Sequence, residues 1–256
     1  MIGVDGVLLD VEGTLFVGGA AIPGAAEAVG SLRSSGIPFR LATNSTGATR
    51  AELCRTLAGH GIEVDAAEIV TAPVLTAAYL RTHHLGARCM LLGDTAATPD
   101  LEGIELVEEE ADVVIVAGAD PTFTWENLNR AYRLLLGGAP LVAMHRNLSW
   151  RTEDGMTLDS GAFVLGLERA AGVQATVIGK PSPDFFAQAV AVLDVPADRT
   201  AMVGDDLEND ILAAQALGVT GVLVRTGKFR PETLDGSRER PDHVIDSIAD
   251  LTTLLR

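Results

Sequence analysis

Four stretches of the chain carry polar side chains of complementary chemistry directly after apolar, strand-like runs. VLLDVEGT at 7–14 delivers Asp10, with Glu12 two residues on. LATNST at 41–46 delivers Thr43, Asn44 and Ser45. VIGKPSP at 177–183 delivers Lys180. VGDDLEND at 203–210 delivers Asp205, with Asp206, Asn209 and Asp210 behind it. Short apolar runs of this kind read as buried strands. Parallel strands place their carboxyl ends on one edge of a sheet, where open α/β sheets bind ligands, so the four polar groups can converge. Carboxylate oxygens suit Mg²⁺. A lysine and a small hydroxyl suit the oxygens of a phosphate. One aspartate is left over as a nucleophile. The residue types therefore point to a Mg²⁺-assisted reaction at phosphorus.

The elements that must position these groups alternate between strand and helix. Residues 2–10 read as the first strand and 16–21 as a Gly-containing flap or turn. Residues 23–34 read as a helix with Ala25, Ala28, Val29 and Leu32 on one face and Pro23 in its first turn. A strand over 38–42 ends at Thr43, and a helix through Glu52, Leu53 and Leu57 stops near Gly59 and Gly61. In the middle, the runs at 89–94, 113–118 and 141–144 read as strands. Residues 124–136 form an amphipathic helix, with Leu128, Ala131, Tyr132 and Leu135 at helical spacing. The acidic stretch Glu108 to Asp112 reads as solvated. The last third returns to short strands at 175–179, 200–204, 221–227 and 243–245, with helices between them. This alternation predicts an α/β fold with a doubly wound, Rossmann-like parallel sheet as its core. The core is expected from residues 1–79 and 175–256, with residues 80–174 inserted as a second α/β domain. These boundaries are soft by about 5 residues.

Bulk properties narrow the partners. The 256 residues carry a net charge of −16, which disfavours nucleic acid and anionic membrane surfaces. Aromatics are only 4% of the chain against 47% hydrophobic residues, so Ala, Val and Leu must build the interior. No apolar run approaches the ~18 residues of a membrane span, and no basic-then-apolar leader opens the chain. The two cysteines, Cys54 and Cys89, have no disulfide or metal spacing and read as reduced thiols of a cytoplasmic protein.

Away from the four stretches the signals are weaker. His145, Arg146 and Asn147 follow the strand at 141–144, where they serve either as substrate contacts or as an ordinary surface loop. DSGAF at 159–163 reads equally as an anion-receiving loop and as a plain helix start. Asp94, in LLGDT, lacks the downstream Asn and Asp of the fourth stretch and reads as a capping residue. The remaining histidines have no zinc spacing.

Taken in order, VLLDVEGT, LATNST, VIGKPSP and VGDDLEND resemble the four motifs of the haloacid dehalogenase superfamily of phosphohydrolases. AIPGAAEAV after the first motif, GGAPLVAMHRN and GKPSPDFF resemble its NagD-like branch, whose members carry a large α/β cap. Within that branch the chain is similar to the group around phospholysine phosphohistidine inorganic pyrophosphate phosphatase. The resemblance spans nearly the whole chain. It implies that Asp10 attacks phosphorus and forms an aspartyl-phosphate, and that the inserted domain is the cap. It implies that Asp10, Asp205 and the backbone carbonyl of Glu12 ligate Mg²⁺, with Asp210 completing the metal's surroundings. Lys180 would neutralise charge between nucleophile and phosphate, while Thr43 and nearby N–H groups hold the transferring oxygens. It also implies a small phosphorylated substrate and admits a homodimer, since caps of this branch often dimerise.

Glu12 departs from the pattern, because most phosphatases of this superfamily have Asp there as the general acid. Three readings stay open: Glu12 acts as acid and base, it acts poorly and the substrates have good leaving groups, or the site only binds. A phosphotransferase or mutase shares the same four motifs. A degenerate member that binds a phosphorylated metabolite or protein is the remaining alternative.

Overall fold

The computed structural model describes residues 2–152 and 155–255. The chain divides into two compact units. One comprises residues 1–43, 53–70 and 180–256, and the other residues 44–52 and 71–179.

The first unit is built on a six-stranded sheet. Its order is His243–Ile245, Thr220–Val224, Thr200–Gly204, Gly6–Leu9, Phe39–Thr43 and Ile69–Thr71. The four pairings from His243–Ile245 across to Phe39–Thr43 are parallel. Val7, Leu8 and Leu9 are fully buried, as expected of a central strand covered on both faces. The helix Pro183–Leu193 packs on strands Gly6–Leu9 and Phe39–Thr43. It sets Phe185 and Phe186 edge to face at 5.6 Å in the core. The helix Ala25–Ser34 buries Ala25, Ala28, Val29 and Leu32, the face that its periodicity predicts. It begins two residues later than Pro23 suggests, because Gly24 adopts a left-handed conformation (φ 84°) as the cap. A Cβ on Gly24 would lie 2.5 Å from the Ala249 side chain, so the tight entry needs glycine on both counts.

The second unit has a five-stranded parallel sheet. Its order is Thr176–Val177, Leu141–Ala143, Val113–Val116, Arg88–Leu92 and Glu105–Leu106. Successive side chains feed opposite faces. Cys89, Val113, Ile115 and Val142 join one buried cluster, while Met90, Val114, Val116 and Ala143 join another. The helix Trp125–Leu136 is capped by Thr124, whose hydroxyl accepts from Asn127 N at 3.2 Å. Burial pushes the Cys89 thiol up to about 11, which makes it inert as a nucleophile.

Three features of this unit differ from the sequence expectation. The strand Thr176–Val177, expected in the first sheet, pairs with Leu141–Ala143. The helix Ala72–His83 buries Ala72, Ala77 and Leu80 in the second unit's core rather than the first's. The antiparallel strand pair Ser149–Thr152 and Gly155–Leu158 has no expected counterpart. Its second strand alternates Met156 and Leu158 with Gly155 and Thr157, but four residues that stay half-buried to exposed are too short a pattern to announce a strand.

Candidate active site

The parallel pairing of Gly6–Leu9 with Thr200–Gly204 sets Leu9 opposite Val203. The ladder runs one step further, with Asp10 N donating to Val203 O at 2.9 Å. Asp10 and Asp205 therefore emerge side by side at the carboxyl edge, only 6% and 2% exposed. Asp210 reaches the same point by a different route. Residues Leu207–Leu212 form a wide π-type helical segment. In it, Asp206 O accepts from both Asp210 N and Ile211 N, at 3.0 and 3.3 Å. The wide turn swings Asp210 back beneath Gly204, where any Cβ would meet the Asp210 carboxylate. Such turns recur at functional sites.

Carboxylate oxygens of Asp10, Asp205 and Asp210 all lie within 4.8 Å of one another. Lys180 Nζ donates to Asp10 Oδ1 at 2.5 Å and to Asp210 Oδ1 at 2.6 Å, with its side chain enclosed. Burial alone would lower the lysine pKa, but the Asp10 and Asp210 charges more than offset that and hold it raised. Thr14 Oγ1 donates to Asp10 Oδ2 at 3.4 Å. The Asp205 carboxylate sits in a notch between Gly13 (φ 90°) and Gly227 (φ 54°). A Cβ on either would strike it. Lys228 N also donates to Asp205 Oδ2 at 2.6 Å.

One ammonium does not balance three carboxylates. Burial, then the charges of Asp10 and Asp210, push Asp205 up to about 8. Burial, eased by Lys180 and reinforced by Asp10, pushes Asp210 up to about 7. An all-oxygen donor set with unmet negative charge fits a hard divalent cation.

The other sequence candidates fall elsewhere. The Glu12 carboxylate is not in the cluster. It stands exposed and accepts from Gly18 N at 3.3 Å, in the turn of the flap formed by Phe16–Val17 and Ala20–Ala21. Partial desolvation outweighs that hydrogen bond, the Asp10 charge adds to it, and the Glu12 pKa is raised. Asp206 and Asn209 form a capping pair: Asp206 Oδ1 accepts from Asn209 N at 3.0 Å and Oδ2 from Asn209 Nδ2 at 2.8 Å. Thr43 ends its strand buried in the first unit.

Asn44, Ser45, His145 and Arg146 belong to the second unit. There, a Cβ on Gly179 would meet Asn44 Oδ1 and Met144 O. His145 is buried, its Nδ1 4.0 Å from Asp159 Oδ2 and accepting from Asn147 N at 3.3 Å. Arg146 is ion-paired with Glu168. In the DSGAF stretch, Asp159 Oδ1 accepts from Ala119 N at 3.2 Å and Ser160 N at 2.7 Å, just ahead of the helix Gly161–Ala171. Asp94 Oδ1 accepts from Ala96 N at 2.8 Å, the local capping role expected of it.

Sequence reasoning passed over Thr14 and Lys228. Thr14 closes the first motif. Lys228 follows the strand Thr220–Val224, a fifth strand that ends in polar residues and could have been found by the rule applied to the other four.

A nucleophile-type aspartate, a lysine and two further aspartates at the carboxyl edge of a parallel sheet, in a chain interrupted by a second α/β unit, define a phosphohydrolase of haloacid dehalogenase type. Residues 7–106 match the family described as haloacid dehalogenase-like hydrolase, and residues 177–251 match a HAD-hydrolase-like family. Haloacid dehalogenase-like hydrolase domain-containing protein 2 of Bos taurus is 38% identical over 249 residues, covering 94% of this chain and 95% of that protein. Phospholysine phosphohistidine inorganic pyrophosphate phosphatase of Rattus norvegicus is 35% identical over 267 residues, covering 99% and 94%. Among solved structures, a 4-nitrophenylphosphatase from Thermotoga maritima superposes with a TM-score of 0.92 at 28% identity, covering 99% and 98% of the two chains. NagD from E. coli K-12 gives 0.87 at 28% identity, covering 97% and 98%. The chain belongs to the haloacid dehalogenase-like hydrolases, in their NagD-like branch, and is a phosphatase.

Proposed function

We propose that this phosphatase hydrolyses small phosphorylated molecules by double displacement through Asp10. The observation that carries the reading is the pairing of buried Asp10 with Lys180 beside Asp205 and Asp210. Asp10 Oδ2, steadied by Thr14, is the attacking oxygen. The phosphoryl group moves to it as the leaving-group oxygen departs, and water then releases phosphate and restores the carboxylate. Lys180 offsets the repulsion between an anionic nucleophile and an anionic phosphate. That repulsion is about 4 kcal/mol for unit charges ~4 Å apart at an effective dielectric near 20. Asp10, Asp205 and Asp210, with the Glu12 carbonyl, would hold Mg²⁺, which when bound supplies the positive charge that the phosphoryl oxygens and the clustered carboxylates both require.

Glu12 is the acid and base. Its raised pKa keeps a proton available at higher pH than an ordinary glutamate would, which is what protonating a leaving group requires. Gly18 N holds the longer side chain in place. Thr43, Asn44 and Ser45 receive the transferring oxygens, and the inserted unit is the cap, with His145 and Arg146 as its candidate substrate contacts. The buried, inert Cys89 thiol suits the cytoplasm.

The test is phosphate release from a panel of alkyl, aryl, acyl and pyrophosphate compounds. Turnover on at least one compound, stopped by chelation and abolished in Asp10→Asn, supports the reading. A wild type inert across the panel overturns it.

A further inference from the structure

The chain passes from the first unit to the second directly after Thr43 and returns at Leu53. Asn44 and Ser45, read above as receiving transferring oxygens beside Thr43, are therefore held by the second unit. Residues 44–49 form neither helix nor strand, so their path depends on side-chain and tertiary contacts.

Such contacts pin the segment at both ends and in the middle. At its start, Asn44 Oδ1 packs against Gly179, where any Cβ would strike it. At its end, Arg50 N opens the helix Arg50–Gly59 and donates to Asp100 Oδ2 at 2.7 Å. In the middle, Thr46 Oγ1 accepts from Gly118 N at 3.1 Å, a buried bond between residues 72 apart. Thr46 itself is 6% exposed.

The middle contact has a firm base. Gly118 lies just past the strand Val113–Val116, and its carbonyl accepts from Asp94 N at 2.9 Å. A buried amide needs a partner, and Thr46 supplies it. A Cβ on Gly118 would strike Thr46 Oγ1. The Gly118 backbone lies outside the left-handed region, so close approach of the hydroxyl, and not conformation, requires glycine there. The pinned residue directly follows Ser45, in a loop whose task is to meet developing charge. Small displacements there are costly, since catalysis depends on donors held in place beforehand.

We propose that Thr46 is a positioning residue for phosphoryl transfer. Its bond to Gly118 sets the path of the loop so that Asn44 and Ser45 meet the transferring oxygens. The proposal rests on the phosphatase reading and on the role given there to these two residues.

Thr46→Val keeps the side chain's shape and removes the acceptor, and Thr46→Ser keeps the acceptor. Gly118→Ala leaves Thr46 in place and displaces its hydroxyl. With full-length protein and Mg²⁺, kcat and KM are measured on 4-nitrophenyl phosphate. Calorimetry gives the affinities for Mg²⁺ and for orthovanadate, which resembles a phosphoryl group in transit. We expect kcat to fall about 10²-fold in Thr46→Val, the scale of a misplaced active-site group. KM and Mg²⁺ affinity should change little, and vanadate affinity should fall with kcat. Thr46→Ser should restore most of both. Gly118→Ala should reproduce the loss, and combining it with Thr46→Val should add little, because both break one bond. Wild-type kcat and vanadate affinity in Thr46→Val, whatever its Tm, overturn the proposal and leave the phosphatase reading standing. An equal loss in Thr46→Ser does the same. Should Thr46→Val fail to fold, wild-type values in Gly118→Ala overturn the proposal. A wild type that neither turns over 4-nitrophenyl phosphate nor binds vanadate overturns both.

Discussion

Lys180 Nζ and Asp10 Oδ1 are 2.5 Å apart at the carboxyl edge of the first sheet, with both side chains almost wholly enclosed. The lysine is shared, because Asp210 Oδ1 lies 2.6 Å from the same nitrogen. Removing the ammonium therefore leaves two buried carboxylates without their cation. Lys180→Met should cost about 3–5 kcal/mol of stability and lower kcat by at least ~10²-fold. Urea unfolding and steady-state kinetics check the two effects separately. A variant as stable as wild type would show that the pair does not carry the site's charge balance.

The carboxylates also predict how metal and pH are linked. Asp205 is pushed up to about 8 and Asp210 to about 7, from ordinary values near 3.8. Across that window the metal-free folded chain keeps protons that the unfolded chain has released. Its stability should fall as pH rises from about 4 to about 8. Lys180 is held above its ordinary value, stays charged throughout and adds no slope there. Mg²⁺ must displace the retained protons, so the rise in Tm at saturating Mg²⁺ should grow with pH through the window. Calorimetric scans with and without Mg²⁺ measure this, and a Tm gain that is flat in pH contradicts it.

Glu12→Gln keeps the size of the side chain and removes the acid. The loss should be about 10²–10⁴-fold on alkyl phosphates, whose leaving groups need a proton. It should be much smaller on 4-nitrophenyl phosphate. Parallel losses on both would mean that Glu12 positions something rather than donating a proton.

The notch at Asp205 makes a further prediction. Gly13→Ala and Gly227→Ala each place a methyl group against the Asp205 carboxylate at a positive φ. Each should weaken Mg²⁺ binding by isothermal titration and lower Tm, whereas Gly36→Ala, also at positive φ but with open space around its Cβ, should lower Tm alone. Wild-type Mg²⁺ affinity in Gly13→Ala would show that Asp205 is free to move and that the notch does not position it.

Much of this site was legible in the chain because each component ends an apolar strand, and parallel strands share an edge. Asp10, Asp205 and Asp210 follow from that rule, whereas Lys180 meets Asp10 and Asp210 although the strand before it, Thr176–Val177, pairs in the second unit's sheet. The division of labour behind Asp205 was not legible. Asp206 and Asp210 are both acids after the same strand, and only the wide turn at Leu207–Leu212 makes one a cap and the other a member of the cluster. A turn of that kind leaves no 3.6-residue periodicity to read. The strand Thr176–Val177 was misplaced for a related reason: two residues carry too little pattern to choose between sheets, and pairing with Leu141–Ala143 decides the matter. The hold of Gly18 on Glu12 depends on the flap folding back across six residues, a contact that no local pattern announces.

The central claim, that Asp10 carries the phosphoryl group, is tested most directly by acid-quenching the enzyme during turnover of 4-nitrophenyl phosphate and mapping its peptides by mass spectrometry. The account predicts one phosphoryl group on the peptide containing Asp10, sensitive to hydroxylamine as an acyl phosphate is, and none in Asp10→Asn. Full turnover in Asp10→Asn, or a phosphoryl group on a different residue, would contradict it.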